Sequence, residues 1–189
     1  MKTVYISGAD GSLSKGLAEY LTQKGYQIWK PGHPLDLFIY IIKPEVSNNK
    51  SIKEPLEYVY LLKEYENTAL EMLKTVSETL PTFRDKEKAR LCFINSIDSS
   101  INRANDFDGG YERIIKAACN MAIRTMFNRL RPMGYTFRVY AAYDMDDPNE
   151  AKYAAEYFLA NRSFEKESYE HSDENRLVMR DKFEQEIPW

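Results

Sequence analysis

The sequence predicts an α/β fold with one parallel sheet covered by helices on both faces, and three observations predict it. Strand-like and helix-like segments alternate along nearly the whole chain. The segments Leu37–Ile42 and Leu91–Asn95 are apolar without alternation, as strands buried on both faces are. The chain also opens as strand, glycine turn and helix, the beginning of a right-handed crossover unit.

Val4-Tyr5-Ile6 is β-branched and aromatic, Gly8-Ala9-Asp10-Gly11 breaks it, and Leu13, Leu17 and Leu21 then recur at helical spacing up to the stop at Gly25. Tyr26–Trp29 reads as a short second strand, Pro31-Gly32-His33-Pro34 as a turn, and Leu37–Ile42 as a central strand closed by Lys43-Pro44. From Pro55 to Leu80 the apolar positions sketch a long helix, with proline where a missing N–H costs least and Pro81 ending it. A basic surface stretch from Arg84 to Arg90 leads to the next buried strand, and a polar loop then runs to Gly110. Tyr111, Ile114, Ile115, Ala118, Ala122, Met126 and Leu130 trace a second long helix over 111–133. A strand over Thr136–Ala141, a third helix from Asn149 to about Asn161, a charged loop over 165–175 and a last strand at Leu177-Val178-Met179 complete the reading.

The chain's 189 residues suit one domain spanning 1–189 and can bury a core without disulfides or metal. A net charge of -3 provides no field to attract nucleic acid or an anionic membrane, and no apolar stretch approaches a membrane span. Cys92 and Cys119 sit in apolar patterns rather than at metal or disulfide spacing, which fits a reducing, cytoplasmic setting. His33 and His171 have no metal-like companions, and the acidic run Asp144–Asp147 lacks the spacing of a calcium loop, so no metal is expected.

Ser7-Gly8-Ala9-Asp10-Gly11-Ser12-Leu13-Ser14 resembles the opening of the short-chain dehydrogenase/reductase family, whose pattern is Thr-Gly-x-x-x-Gly-x-Gly. Asp36–Tyr40 is similar to that family's fourth strand, Phe93-Ile94-Asn95-Ser96 to the strand presenting its serine, and Lys116–Cys119 to its lysine helix. The resemblance implies a Rossmann-like three-layer fold. Only a tight turn separates Trp29 from Leu37, so the family's third strand and its helix are missing and the implied strand order is 2-1-4-5-6-7. NADP or NAD is the implied cofactor, with Gly8, Asp10, Ser12, Leu13 and Lys30 at the binding positions and Ser96, Tyr111 and Lys116 as the catalytic set.

Each position departs from what the chemistry asks. Glycines let the backbone approach a pyrophosphate at a helix N-terminus. Here Ser12 and Ser14 replace two of them, and Ser12 reads equally as a helix N-cap. Lys30 stands where an acid would hold the ribose; it suits a 2′-phosphate or is solvated surface. The reductase relay is Tyr-x-x-x-Lys, one helical face, with the phenol passing a proton to the carbonyl oxygen. Tyr111 lies five residues before Lys116, about 140° away around a helix, and Glu112 takes the tyrosine's place. Tyr111 reaches the site only if the helix begins after it and Gly109-Gly110 re-aims the ring. Asn-Ala-Gly after the fourth strand and Pro-Gly after the sixth are replaced by Ile41–Pro44 and Tyr143-Asp144.

These departures predict a non-catalytic or atypical member that works by association, as a homodimer or homotetramer through the two long helices (55–80 and 111–133). Tyr58, Tyr65, Met72, Met121 and Phe127 are its interface candidates, or else core residues facing the sheet. The alternative is an NADP(H)-dependent reductase for a small carbonyl or alcohol with a rearranged Ser96–Tyr111–Lys116 site. A third reading is a sensor holding another metabolite in the crevice at the strand ends.

Overall fold

The computed structural model describes residues 1–45, 58–103, 109–160 and 173–189. The strands are β1 (Lys2–Gly8), β2 (Tyr26–Ile28), β3 (Leu37–Ile41), β4 (Arg90–Ser96), β5 (Thr136–Ala142), β6 (Met179–Arg180) and β7 (Glu186–Ile187). They form one sheet in the order β2-β1-β3-β4-β5-β6-β7, parallel throughout except for β7. With the family's third strand left out, this is the expected 2-1-4-5-6-7, extended by an antiparallel β7 that was not foreseen.

Helix α1 (Ser12–Gln23) and α5 (Pro148–Leu159) cover one face, where Leu13, Leu17, Leu21, Ala154 and Phe158 pack on Ile39, Ile94 and Tyr140. The long helix of α2 (Tyr58–Tyr65) and α3 (Glu71–Thr79), together with α4 (Gly110–Leu130), covers the other. There Met72, Val76, Ile115, Ile123 and Phe127 meet Phe38, Phe93 and Phe137. All five residues of β3 are buried, as a continuously apolar strand between two helix layers must be.

The expected helix over 55–80 is not regular. A π turn at Glu66–Leu70 separates α2 from α3, at a point where Asn67 and Thr68 are weak helix formers. Its proposed start at Pro55 lies outside the described residues, as do 104–108 of the loop before Gly110, the charged stretch up to 172, Asn161 and His171. Helix α5 begins one residue early because Asp147 caps it, accepting from Asn149 N–H at 2.9 Å, with Pro148 at its first position. The last parallel strand starts at Met179 rather than Leu177, because Leu177 adopts φ 53° as the chain leaves α6 (Asp173–Arg176). Asp173 then ties this segment down, taking two hydrogen bonds from Arg180 at 2.8 and 2.7 Å and one from the Tyr157 hydroxyl at 3.1 Å.

The β2–β3 connection decides the shape of the site. Val4 pairs with Ile28 on one side and Leu37 on the other, so β2 ends level with the start of β3. Residues 29–36 cross there directly: Trp29 N–H donates to Val4 O and Asp36 N–H to Thr3 O, at 2.8 and 3.3 Å. No crossover helix is formed in this connection, so the face of β1 beside α2 and α3 is left without one.

Candidate functional site

A parallel sheet opens its ligand crevice at the C-terminal ends of the strands, here Gly8, Ile41, Ser96 and Ala142. Gly8 has φ 91°, and a methyl group on it would sit 2.2 Å from the Ile41 carbonyl oxygen, which also accepts Ala9 N–H at 3.1 Å. This glycine brings the end of β1 against β3. The open glycine is Gly11, where a side chain would meet nothing within 4 Å. Gly11 is also the N-cap of α1, and Ser14 Oγ accepts its N–H at 3.0 Å. Ser12 is therefore not the N-cap; it is an exposed residue in the first turn, beside exposed Asp10, while the Leu13 side chain points into the core.

Lys30 is not brought to this end of the sheet. Its strand leaves the ladder at Val4, four residues short of Gly8, which is about 13 Å at strand rise. It lines a separate cavity with Thr22, Gln27 and His33.

At the end of β4, Asn95 is wholly buried. Its Nδ2 donates to Lys116 O at 3.1 Å and to Asn120 Oδ1 at 2.8 Å, and its Oδ1 accepts Ser96 N–H at 3.0 Å. Asn120 Nδ2 donates in turn to Ser99 O and Oγ at 3.2 and 3.1 Å. This chain of bonds fixes α4 against β4 and brings Ser96 and Lys116 to one corner. Asn95 and Asn120 were missed in the sequence, although an amide ending an apolar run and a second four residues after Lys116 are the signal of a buried polar pair.

Tyr111 does not join them. Helix α4 begins at Gly110 behind an N-cap at Gly109 (φ 77°), so Tyr111 already lies within its first turn. The phenol remains about 140° around the helix from Lys116. Glu112 occupies the phenol's expected place and pairs with Lys116, whose side chain is only 4% exposed. The Ser96 hydroxyl is buried with no hydrogen-bond partner among the described residues.

Across the crevice, Lys43 and Asp146 join the loops that leave β3 and β5 through an ion pair of 2.6 Å. Behind β5, the Tyr140 hydroxyl donates to Glu150 at 2.6 Å, and burial first, then this bond, hold its phenol well above the ordinary tyrosine range. The Cys119 thiol is pushed up to about 12 by burial, which leaves it an inert core group.

A dinucleotide fits these residues in part. Gly11 and the first turn of α1 leave space for a pyrophosphate, whereas the wall for the adenosine is missing and Lys30 is displaced. At the position where the resemblance places a tyrosine stands Glu112, paired with Lys116.

This architecture is a mostly parallel α/β sheet with helices on both faces. More particularly, the fold is that of the short-chain dehydrogenases and reductases. A short-chain dehydrogenase/reductase from Burkholderia multivorans with bound NADP superposes with a TM-score of 0.77 over 100% of this chain and 99% of its own, at 12% identity. A carbonyl reductase from Pseudomonas aeruginosa in complex with NADP does so at 0.74, covering 100% of both chains at 13% identity. The NADPH-bound carbonyl reductase from chicken fatty liver gives 0.72 over 100% of this chain and 94% of its own, at 14% identity. All three of these neighbours carry NADP or NADPH. No protein-family model matches the sequence, and no curated protein matches it. No helix among the described residues is long and apolar enough to cross a membrane.

Proposed function

We propose that this chain is a short-chain-reductase scaffold that does not carry out hydride transfer by the Ser–Tyr–Lys relay and works instead by association in the cytoplasm. The observation that carries this reading is the Glu112–Lys116 pair. Glu112 takes the position from which the phenol would reach a carbonyl oxygen, and it engages the lysine that would assist that phenol. The surface supports the other half. Ile114 and Met121, seven residues apart on α4, are 56% and 67% exposed, and Tyr58, Val59 and Leu62 on α2 are exposed as well. Met72 and Phe127 are core residues that pack on the sheet, which removes them from the expected interface.

A second copy is the partner proposed for this face, as a homodimer or homotetramer. Sedimentation at micromolar concentration is expected to show an oligomer that Met121→Glu converts to monomer, because a charge at the centre of an apolar patch is left desolvated without a partner. A monomeric wild-type protein would remove the self-association half of this reading.

A different observation favours a second reading. Carbonyl reductases with bound NADP cover the whole chain in superposition, and the Ser96 hydroxyl is buried with no partner among the described residues. In an NADP(H)-dependent reductase with a rearranged site, Ser96 would hold the oxygen of a small carbonyl or alcohol and Lys116 a proton at Nζ. Titrating NADPH and NADH into the protein by calorimetry separates the two readings. The association reading expects no saturable heat at submillimolar cofactor, and tight binding of NADPH favours the reductase.

A further inference from the structure

Beside Gly8 lies a groove of about 500 Å3, bounded by β1, β3 and the α2–α3 helix. It exists because residues 29–36 pass directly from β2 to β3 and leave that side of β1 without a crossover helix. Its lining is strongly acidic. Glu64, Glu71 and Glu78 recur every seven residues along the helix, and Glu45 joins them from the loop after β3. The one lysine of the lining, Lys43, is engaged by Asp146. Glu71 meets Lys74 at 3.3 Å on the solvent side.

Two lining residues are more than nine-tenths buried and have few polar partners among the described residues. Glu64 is 7% exposed, and the one bond found to its carboxylate comes from Glu45 N–H at 3.1 Å, with no cation beside it among the described residues. Tyr40 is 3% exposed and lines the groove, and its hydroxyl has no hydrogen bond among the described residues. Buried phenols ordinarily find a partner, and a buried carboxylate ordinarily finds a counter-charge. Burial first, then the neighbouring Cys119 and Glu71, pushes the Tyr40 phenol up to about 12, so it stays a neutral hydroxyl able to accept from an N–H. The π turn at Glu66–Leu70 places Asn67 and Thr68 on the same wall, and such turns recur at functional sites.

We infer that this groove binds a small protonated organic amine, its ammonium on Glu64 and the Tyr40 hydroxyl and its remaining length along Glu71 and Glu78. A phosphate-bearing ligand is disfavoured there by the same carboxylates. No group of three metal-ligating side chains is found among the described residues. The inference goes beyond the association reading and does not depend on it.

Calorimetric titration of the full chain with putrescine and spermidine at neutral pH and low salt tests it, with butane-1,4-diol as the uncharged analogue and AMP as the anionic one. Saturable binding of at least one amine is expected, with none of the diol or AMP. Glu64→Gln should weaken it about tenfold, roughly one charge-assisted hydrogen bond, and Tyr40→Phe several-fold. Glu19→Gln, an exposed change on α1, should leave it unaltered. Should Glu64→Gln not fold, Glu71→Gln at the rim serves in its place with a smaller weakening. Absence of amine binding at millimolar concentration, or binding that these groove variants leave as strong as Glu19→Gln does, would overturn the inference. Tighter binding of AMP than of either amine would overturn it too.

Discussion

Replacement of Gly8 by alanine is expected to cost the fold about 3 kcal/mol or more, the sum of roughly 1–2 kcal/mol for a left-handed residue carrying a Cβ and a similar or larger overpacking term. The new methyl would lie 2.2 Å from the Ile41 carbonyl oxygen, a backbone atom that cannot rotate away, and Ala9 would lose its bond to that oxygen as the strands parted. Small domains carry only about 5–15 kcal/mol of stability, so the change is severe. Urea unfolding followed by far-ultraviolet circular dichroism measures it. The effect falls on stability rather than on any ligand, because this glycine serves the β1–β3 approach.

The second large effect belongs to the Glu112–Lys116 pair. Glu112→Ala strands a lysine whose side chain is 4% exposed, and breaking such a pair should cost about 2–3 kcal/mol, discounted from the fully buried case because Glu112 itself is 30% exposed. Lys116→Met removes the buried charge and leaves the glutamate free to turn to water, so its effect should lie within about 1 kcal/mol of zero. Denaturant midpoints at constant slope report both changes. Equal, small losses for the two variants would mean that the pair is not held as described.

The apolar runs carried the fold. Leu37–Ile42 and Leu91–Asn95 could be placed as central strands because burial on both faces leaves no alternation, and the spacing between Trp29 and Leu37 already implied the shortened sheet order. What escaped depends on contacts between distant segments. The π turn leaves no periodic mark, since Glu66–Leu70 continues the apolar stripe on either side of it. β7 is two residues long and pairs only because Asp173, Tyr157 and Arg180 hold the C-terminal segment in place. Met72, Phe127 and Met121 look alike in sequence, and only packing separates the first two, in the core, from the third on the surface.

The site was half visible. Asn95, next to Ser96, bonds the Lys116 carbonyl, and the five-residue offset of Tyr111 persists in space because α4 begins before it. Lys30 was placed by analogy with a longer strand; in this chain β2 stops at the level of Val4, and the side chain ends up in another cavity. The acidic groove could not be read from the sequence at all. Its glutamates lie on a helix whose outer face would ordinarily be solvated, and only the missing crossover turns that face into a wall.

Carbonyl-dependent oxidation of NADPH, measured over a panel of small aldehydes and ketones for the wild type and for Tyr111→Phe, tests the central claim most directly. With Glu112 paired to Lys116 and Tyr111 turned away, no turnover above the cofactor blank is predicted for either protein. Turnover by the wild type that Tyr111→Phe abolishes would contradict the account, since it would require the phenol to reach the corner of Ser96 and Lys116.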